Sequence, residues 1–354
     1  MTIKKISIVH PYIEQRLQEI KQRIYPKHHL WGFDQFEKEK SLKMNLLQTE
    51  KTFCPTILEK TLNKLFFKNS PGIKAEISAW KESRTSELIY SVCGPLALSQ
   101  FYKKTKVISW VFRHPNNRVN SLLDPYSQKN LQSNDALLCL TPDAEKHFSK
   151  LVRSKFIPWC IDMEMFDGKP PINKPEKPFF LASGKTQRDY NTLVNAAHRT
   201  TIDIRIIGPK NLKPLSCPNN VHWIDTSIDP PDQAIDYPTL KEWYAQCAGV
   251  CIPLTGDATD TCGYTNMLEG MAMRKPILMS RSGCLHINPQ SRNFGILIEP
   301  QDSRGWSDSM NRIIGEPAFA EKCGESGRKI AENEFTIDRF NRNVLSFISD
   351  ALKT

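Results

Sequence analysis

The chain has 354 residues, 40% of them apolar, enough for about two domains with ordinary cores. No apolar run approaches the ~18 residues of a membrane span, and the run in MTIKKISIVHP is too short for a signal peptide, so a cytoplasmic protein is expected. The formal charge is +10, and all of that excess lies in residues 1–150, which makes an anionic partner such as lipid or a phosphorylated acceptor reasonable.

In chain order, the first half carries short apolar runs at Ile3–Val9, Leu88–Cys93, Val107–Phe112 and Ala136–Leu140, each followed by polar or Pro-containing sequence. Helix-like stretches, Glu14–Ile24 and Thr56–Phe67, lie among them. This alternation indicates a parallel sheet with crossover helices. Residues 167–177, DGKPPINKPEK, lack apolar periodicity and read as a linker within 161–177. The pattern then restarts. Phe179–Ala182, Asp203–Ile207, Val221–Ile224, Val250–Pro253, Ile277–Ser280 and Gly295–Ile298 read as strands, with helices at Thr192–His198, Leu240–Cys247 and Met267–Arg274. The last stretch, 336–354, has Phe340, Val344, Phe347, Ile348 and Leu352 on one face and reads as an amphipathic helix. The expected organisation is an α/β chain with domains at 1–160 and 178–335. Ligands of such domains bind beyond the strand C-termini.

The stretch Cys262–Pro276, CGYTNMLEGMAMRKP, carries the most chemistry. Gly263 permits a tight turn, Thr265 or Asn266 can cap the helix that follows, and Pro276 ends it. A helix start with unpaired N–H groups binds phosphate. Met267, Leu268, Met271 and Ala272 recur at helical spacing and face the core, which leaves Glu269 outside that face. Its carboxylate can accept two hydroxyls of a ribose diol, or it is simply a solvated residue on a core helix. Ten cysteines are spread singly, and the pair Cys247 and Cys251 has no partner pair at zinc-ligand spacing. Free thiols are therefore expected, with no metal and no cofactor. His28 and His29 form no ligand spacing with another His or Cys. Nucleic acid is the least favoured partner, because no recognised module accompanies the charge.

Six landmarks in order, the Cys262–Pro276 stretch the last of them, resemble the GT-B glycosyltransferases, specifically the large retaining family four. IPWCIDMEMF at 157–166 resembles its interdomain motif, matching at Pro158, Asp162 and Phe166, with Cys160 in place of Gly. LASGKTQRDYNTLVNAA resembles its phosphate loop and helix, with Gly184 as the turn glycine and Lys185 and Arg188 near the usual diphosphate-binding cations. IIGP at 206–209, NVHWID at 220–225 and LKEWYAQCAGVCIPL at 240–254 follow, then the Cys262–Pro276 stretch. Residues 1–160 resemble the family in pattern only, as at KHHLWG, 27–32.

The resemblance implies two Rossmann-like domains and a C-terminal helix that crosses back to the N-terminal one. It implies a metal-independent hexosyltransferase that takes a UDP-sugar, or a GDP-sugar, to a carbohydrate, lipid-linked or small-molecule acceptor. Polysaccharide or glycolipid synthesis, and peripheral contact with an anionic inner membrane surface, fit it. His114, Lys185 and Arg188 would be catalytic, and Gly184, Lys185, Arg188, Gly263, Tyr264, Thr265 and Glu269 would bind the nucleotide sugar. Taken without it, His114 also reads as a structural loop histidine, and Lys185, Arg188, Arg113 and Arg118 as solvated cations. Asp162 reads as a hinge or capping residue. The sequence departs from the family where its first glutamate would stand, at Thr261 with Asp260 beside it, and at Arg274, where Gly is usual. A GT-B binding or scaffold protein without transfer is the alternative.

Overall fold

Short β-rich runs alternating with helices can bury both faces of a sheet only if the strands run parallel and the helices cover them. The computed structural model, which describes residues 4–67, 70–102, 104–112, 126–173, 175–227, 234–256, 261–283 and 286–353, has this architecture twice. Among the described residues the chain divides into two compact units, one of residues 1–22, 27–158 and 338–354, the other of 23–26 and 159–337.

The first unit holds β1 (Lys4–Val9), β2 (Leu42–Leu46), β3 (Leu88–Ser91), β4 (Lys106–Val111), β5 (Ala136–Cys139) and β6 (Ser154–Phe156). They form one six-stranded sheet in the order β2-β1-β3-β4-β5-β6, parallel throughout. The C-terminal helix, Ile337–Lys353, packs into this unit. Phe340 stacks on Trp110 with ring centroids 5.6 Å apart, and Asn341 donates to Asp34 at 3.0 Å. Lys4 and Lys106 donate to the carbonyls of Leu352 and Ala351 at 2.6 and 2.7 Å, placing two cations at the negative end of the helix.

The second unit holds β7 (Phe179–Ser183), β8 (Asp203–Gly208), β9 (Val221–Asp225), β10 (Gly249–Ile252), β11 (Ile277–Ser280) and β12 (Gly295–Ile298). Their order is β12-β11-β10-β7-β8-β9, again parallel. Phe180, Ala182, Leu193, Ile204, Trp306 and Met310 share one of its cores. The order reverses between β7 and β10, and in open parallel sheets ligands bind at such a switch point, beyond the strand C-termini. No described helix is long and apolar enough to cross a membrane.

Candidate functional site

The switch point of the second sheet is built from two turns that only glycine takes without strain. After β7 the chain turns at Gly184, φ +132°, and the guanidinium of Arg188 folds back over the bare Cα. A Cβ there would lie 2.4 Å from Nη2. Arg188 donates from Nε to the Ser183 carbonyl at 3.1 Å, from Nη1 to the Thr186 carbonyl at 2.9 Å and from Nη2 to Asn266 Oδ1 at 2.7 Å. It is buried, whereas Lys185 is exposed and pairs with no described residue. The loop is laced to the stretch after β10: Asp189 N–H donates to the Pro253 carbonyl at 3.0 Å and Thr255 N–H to Gln187 at 3.1 Å. Asp189 also caps the next helix, Tyr190–Ala197, by accepting from Thr192 N–H.

The second turn is Gly263, φ +84°, whose missing Cβ leaves room for Ile252 Cγ2, 2.6 Å from where it would stand. The helix Tyr264–Ala272 starts directly after it. Thr265 or Asn266 was the expected cap, but both lie inside the first turn, and Gly263 at the cap position supplies no side-chain acceptor. Capping needs a residue outside the helix, and here the turn comes two residues sooner than the apolar periodicity marks. Thr265 is half-buried, while Tyr264 is buried and meets the His286 ring edge-on, centroids 5.3 Å apart.

Glu269 does not stand outside the packed faces of this helix. It is 2% exposed, because the helix is covered on nearly all sides, and Tyr244 from the helix Tyr237–Gln246 donates to its Oε2 at 2.7 Å. Burial pushes its carboxyl up to about 7, against the opposing pull of Tyr244 and Asn266. Asn266 is the joint of the cluster. It accepts from Arg188 and donates through Nδ2 to Ser183 Oγ at 2.7 Å and to the Tyr244 hydroxyl at 3.4 Å. Arg188, Asn266, Tyr244 and Glu269 thus form one connected polar chain, and a chain whose members are satisfied by each other is rigid. Sequence reasoning named Asn266 only as a cap and did not single out Tyr244; a Tyr among apolar residues at Leu240–Cys247 was the available signal.

His114, Arg113, Arg118 and Asp260 lie outside the described residues. Asp162 accepts from Glu164 and Met165 N–H groups at 3.1 Å each, the turn-capping role. Among the described residues all nine cysteines are free, and no cluster of three or more His, Cys, Asp or Glu could hold a metal ion.

No protein-family model matches the chain, and no curated protein matches it by sequence. Solved structures do match. Sucrose-phosphate synthase from Thermosynechococcus elongatus is 14% identical with a TM-score of 0.67, over 98% of each chain. HepE from Anabaena, solved with UDP-glucose, is 13% identical with a TM-score of 0.62, over 98% of this chain and 99% of its own. WaaG, a glycosyltransferase involved in lipopolysaccharide biosynthesis, is 13% identical with a TM-score of 0.60, over 96% and 98%. With two parallel six-stranded sheets and full-length matches of this kind, the chain has the fold of the GT-B glycosyltransferases.

Proposed function

We propose that the protein is a retaining glycosyltransferase that moves a sugar from a nucleotide-diphosphate sugar, a UDP-sugar in preference to a GDP-sugar, to a carbohydrate, lipid-linked or small-molecule acceptor, working peripherally at an anionic membrane. The observation that carries this reading is the Arg188–Asn266 bond, which ties a fixed guanidinium to the first turn of the Tyr264–Ala272 helix. A helix start and a preorganised cation offer positive charge where a diphosphate leaving group gathers negative charge. Lys185, exposed on the same loop, supplies a second cation, which makes a metal unnecessary in this scheme. HepE, of the same fold, binds UDP and UDP-glucose.

In the reaction the bond from the anomeric carbon to the diphosphate oxygen breaks, and a bond from that carbon to the acceptor oxygen forms on the same face. The acceptor proton passes to the departing diphosphate, so no strong protein base is required. Glu269 would take a ribose hydroxyl on the carboxylate oxygen that Tyr244 leaves unused, and His114 would meet the donor sugar. Thr261, where the family has its first glutamate, favours a second reading, a nucleotide-binding protein without transfer.

The test is thermal unfolding with UDP and GDP, followed by a donor-hydrolysis screen. UDP at a hundred times its Kd is expected to add about 2.7 kcal/mol of stability, and Lys185→Ala to remove most of that gain. Absence of stabilisation by any nucleoside diphosphate would sink the donor site. Stabilisation without hydrolysis or transfer over a full donor panel would leave the binding protein.

A further inference from the structure

The helix Thr56–Leu65, in the first unit, buries none of its ten residues. Leu62 leans inward, toward Phe67, Ile73 and Ala97. Ile57, Leu58 and Leu65 fall within about 100° of one another around the helix axis and are 83%, 49% and 64% exposed. Phe53, just before the helix, is 88% exposed. Single exposed apolar residues need no explanation, but a run of them on one short segment does.

The charges beside this face are of one sign. Lys60 and Lys64 lie three and seven residues after Ile57 and so line one side of the apolar stripe. Neither meets a described carboxylate. The segment's two acids, Glu50 and Glu59, are both taken by Lys74, at 3.7 and 3.0 Å. What remains outward is an apolar stripe with an unopposed basic border, on the half of the chain that carries the whole net charge.

We propose that residues 51–66 are the surface by which the protein docks on an anionic lipid bilayer. The helix, about 15 Å long, lies in the plane of the interface. Phe53, Ile57 and Leu65 enter the acyl boundary, and Lys60 and Lys64 meet headgroup phosphates. A second copy of the chain is a poor occupant, because a two-fold contact over this patch would set the lysine border against itself. The proposal rests on the peripheral-membrane part of the function above and is independent of the transfer chemistry.

The test is co-sedimentation of the full chain with phosphatidylcholine vesicles, with and without phosphatidylglycerol. Binding is expected only with the anionic lipid. Ile57→Asp with Leu65→Asp is expected to weaken it by about tenfold or more, and so is Lys60→Glu with Lys64→Glu. The UDP-induced thermal shift, read on the same variants, should be unchanged, which also shows that they fold. Equal binding by the variants overturns the proposal, as does equal binding to neutral vesicles. It is overturned too if the wild-type chain ignores vesicles and instead forms a dimer that the aspartate variant dissolves. Loss of the UDP shift in the wild-type chain with vesicle binding intact counts against the donor site alone and supports the dock.

Discussion

In the first sheet the strand order reverses between β1 and β3, and the residues just past those strands are His10 and Cys93. In the second it reverses between β7 and β10, and the loop just past β7 carries Arg188. The topology treats the two places alike, but the side chains do not. His10 Nε2 faces the His29 carbonyl at 2.8 Å, so it carries the proton, and Nδ1 is left to accept from the Cys93 thiol at 3.6 Å. Burial drives His10 down to about 4 and Cys93 up to about 12, so both are neutral at pH 7. The second switch point instead holds the Arg188 guanidinium, joined through Asn266 and Tyr244 to a carboxyl that burial pushes up to about 7. A parallel sheet fixes where a ligand region lies; the residues placed there fix the sign of charge it can meet.

The largest effect expected at the charged switch point comes from its turn. Gly184→Ala forces a Cβ to within 2.4 Å of the Arg188 guanidinium at a backbone angle of φ +132°. Strain and overpacking together should cost about 4 kcal/mol. Urea unfolding of the variant measures it. Adding Arg188→Ala removes the collision and should return part of that loss, so the two substitutions must be non-additive. Simple additivity would mean that the guanidinium does not lie over Gly184, and the contrast between the two switch points would weaken.

Much of this frame is legible in the residues, and the gaps have physical reasons. Four strands of the first sheet and all six of the second stand out, because central strands are continuous apolar runs such as ILMS at 277–280. The two strands not anticipated, Leu42–Leu46 and Ser154–Phe156, are the edges of the first sheet. Each pairs on one side only, and neither is fully buried, so LKMNL and SKF carry little apolar signal. The helix Ile73–Glu82 hides in the same way behind its Lys and Glu positions. At the site, the two glycines and Arg188 are readable as residue types. The bonds that join Arg188, Asn266, Tyr244 and Glu269 span 22 to 78 residues of sequence, and no local pattern encodes such pairings.

The next effect separates the two regions by pH. The Glu269 carboxyl lies at about 7 in the folded chain against an ordinary 4.5, so between those values the native state holds a proton that the unfolded chain has lost. Its contribution to stability therefore falls as pH rises from 4.5 to 7 and stays low above that, by on the order of 3 kcal/mol. His10, at about 4 folded against 6.5, works the other way: its contribution falls as pH drops from 6.5 toward 4. Glu269→Gln is expected to gain stability relative to the parent at pH 8 and to gain nothing at pH 4.5. Denaturant unfolding of both proteins at the two pH values reads this directly. A difference independent of pH would mean that burial does not hold a proton on Glu269, and would leave Arg188 alone to distinguish the two switch points.

The smallest effect tests whether strain near the charged switch point matters to it. Arg274 follows the Tyr264–Ala272 helix with φ +58°, a left-handed angle that glycine takes freely and other residues adopt at a cost. The side chain does offer an ion pair to Glu325, but both partners are largely exposed, and such a pair contributes little. Arg274→Gly is therefore expected to stabilise the chain by about 1 kcal/mol, whereas Glu325→Ala should change it by less than half of that. The UDP-induced shift should be the same in Arg274→Gly as in the parent, because the far end of the helix is anchored separately: Arg328 donates to the carbonyls of Ala272 and Phe166 at 2.7 and 2.8 Å. If the substitution alters that shift, strain at the helix end is coupled to the Arg188 chain, and the charged switch point extends the whole length of this helix.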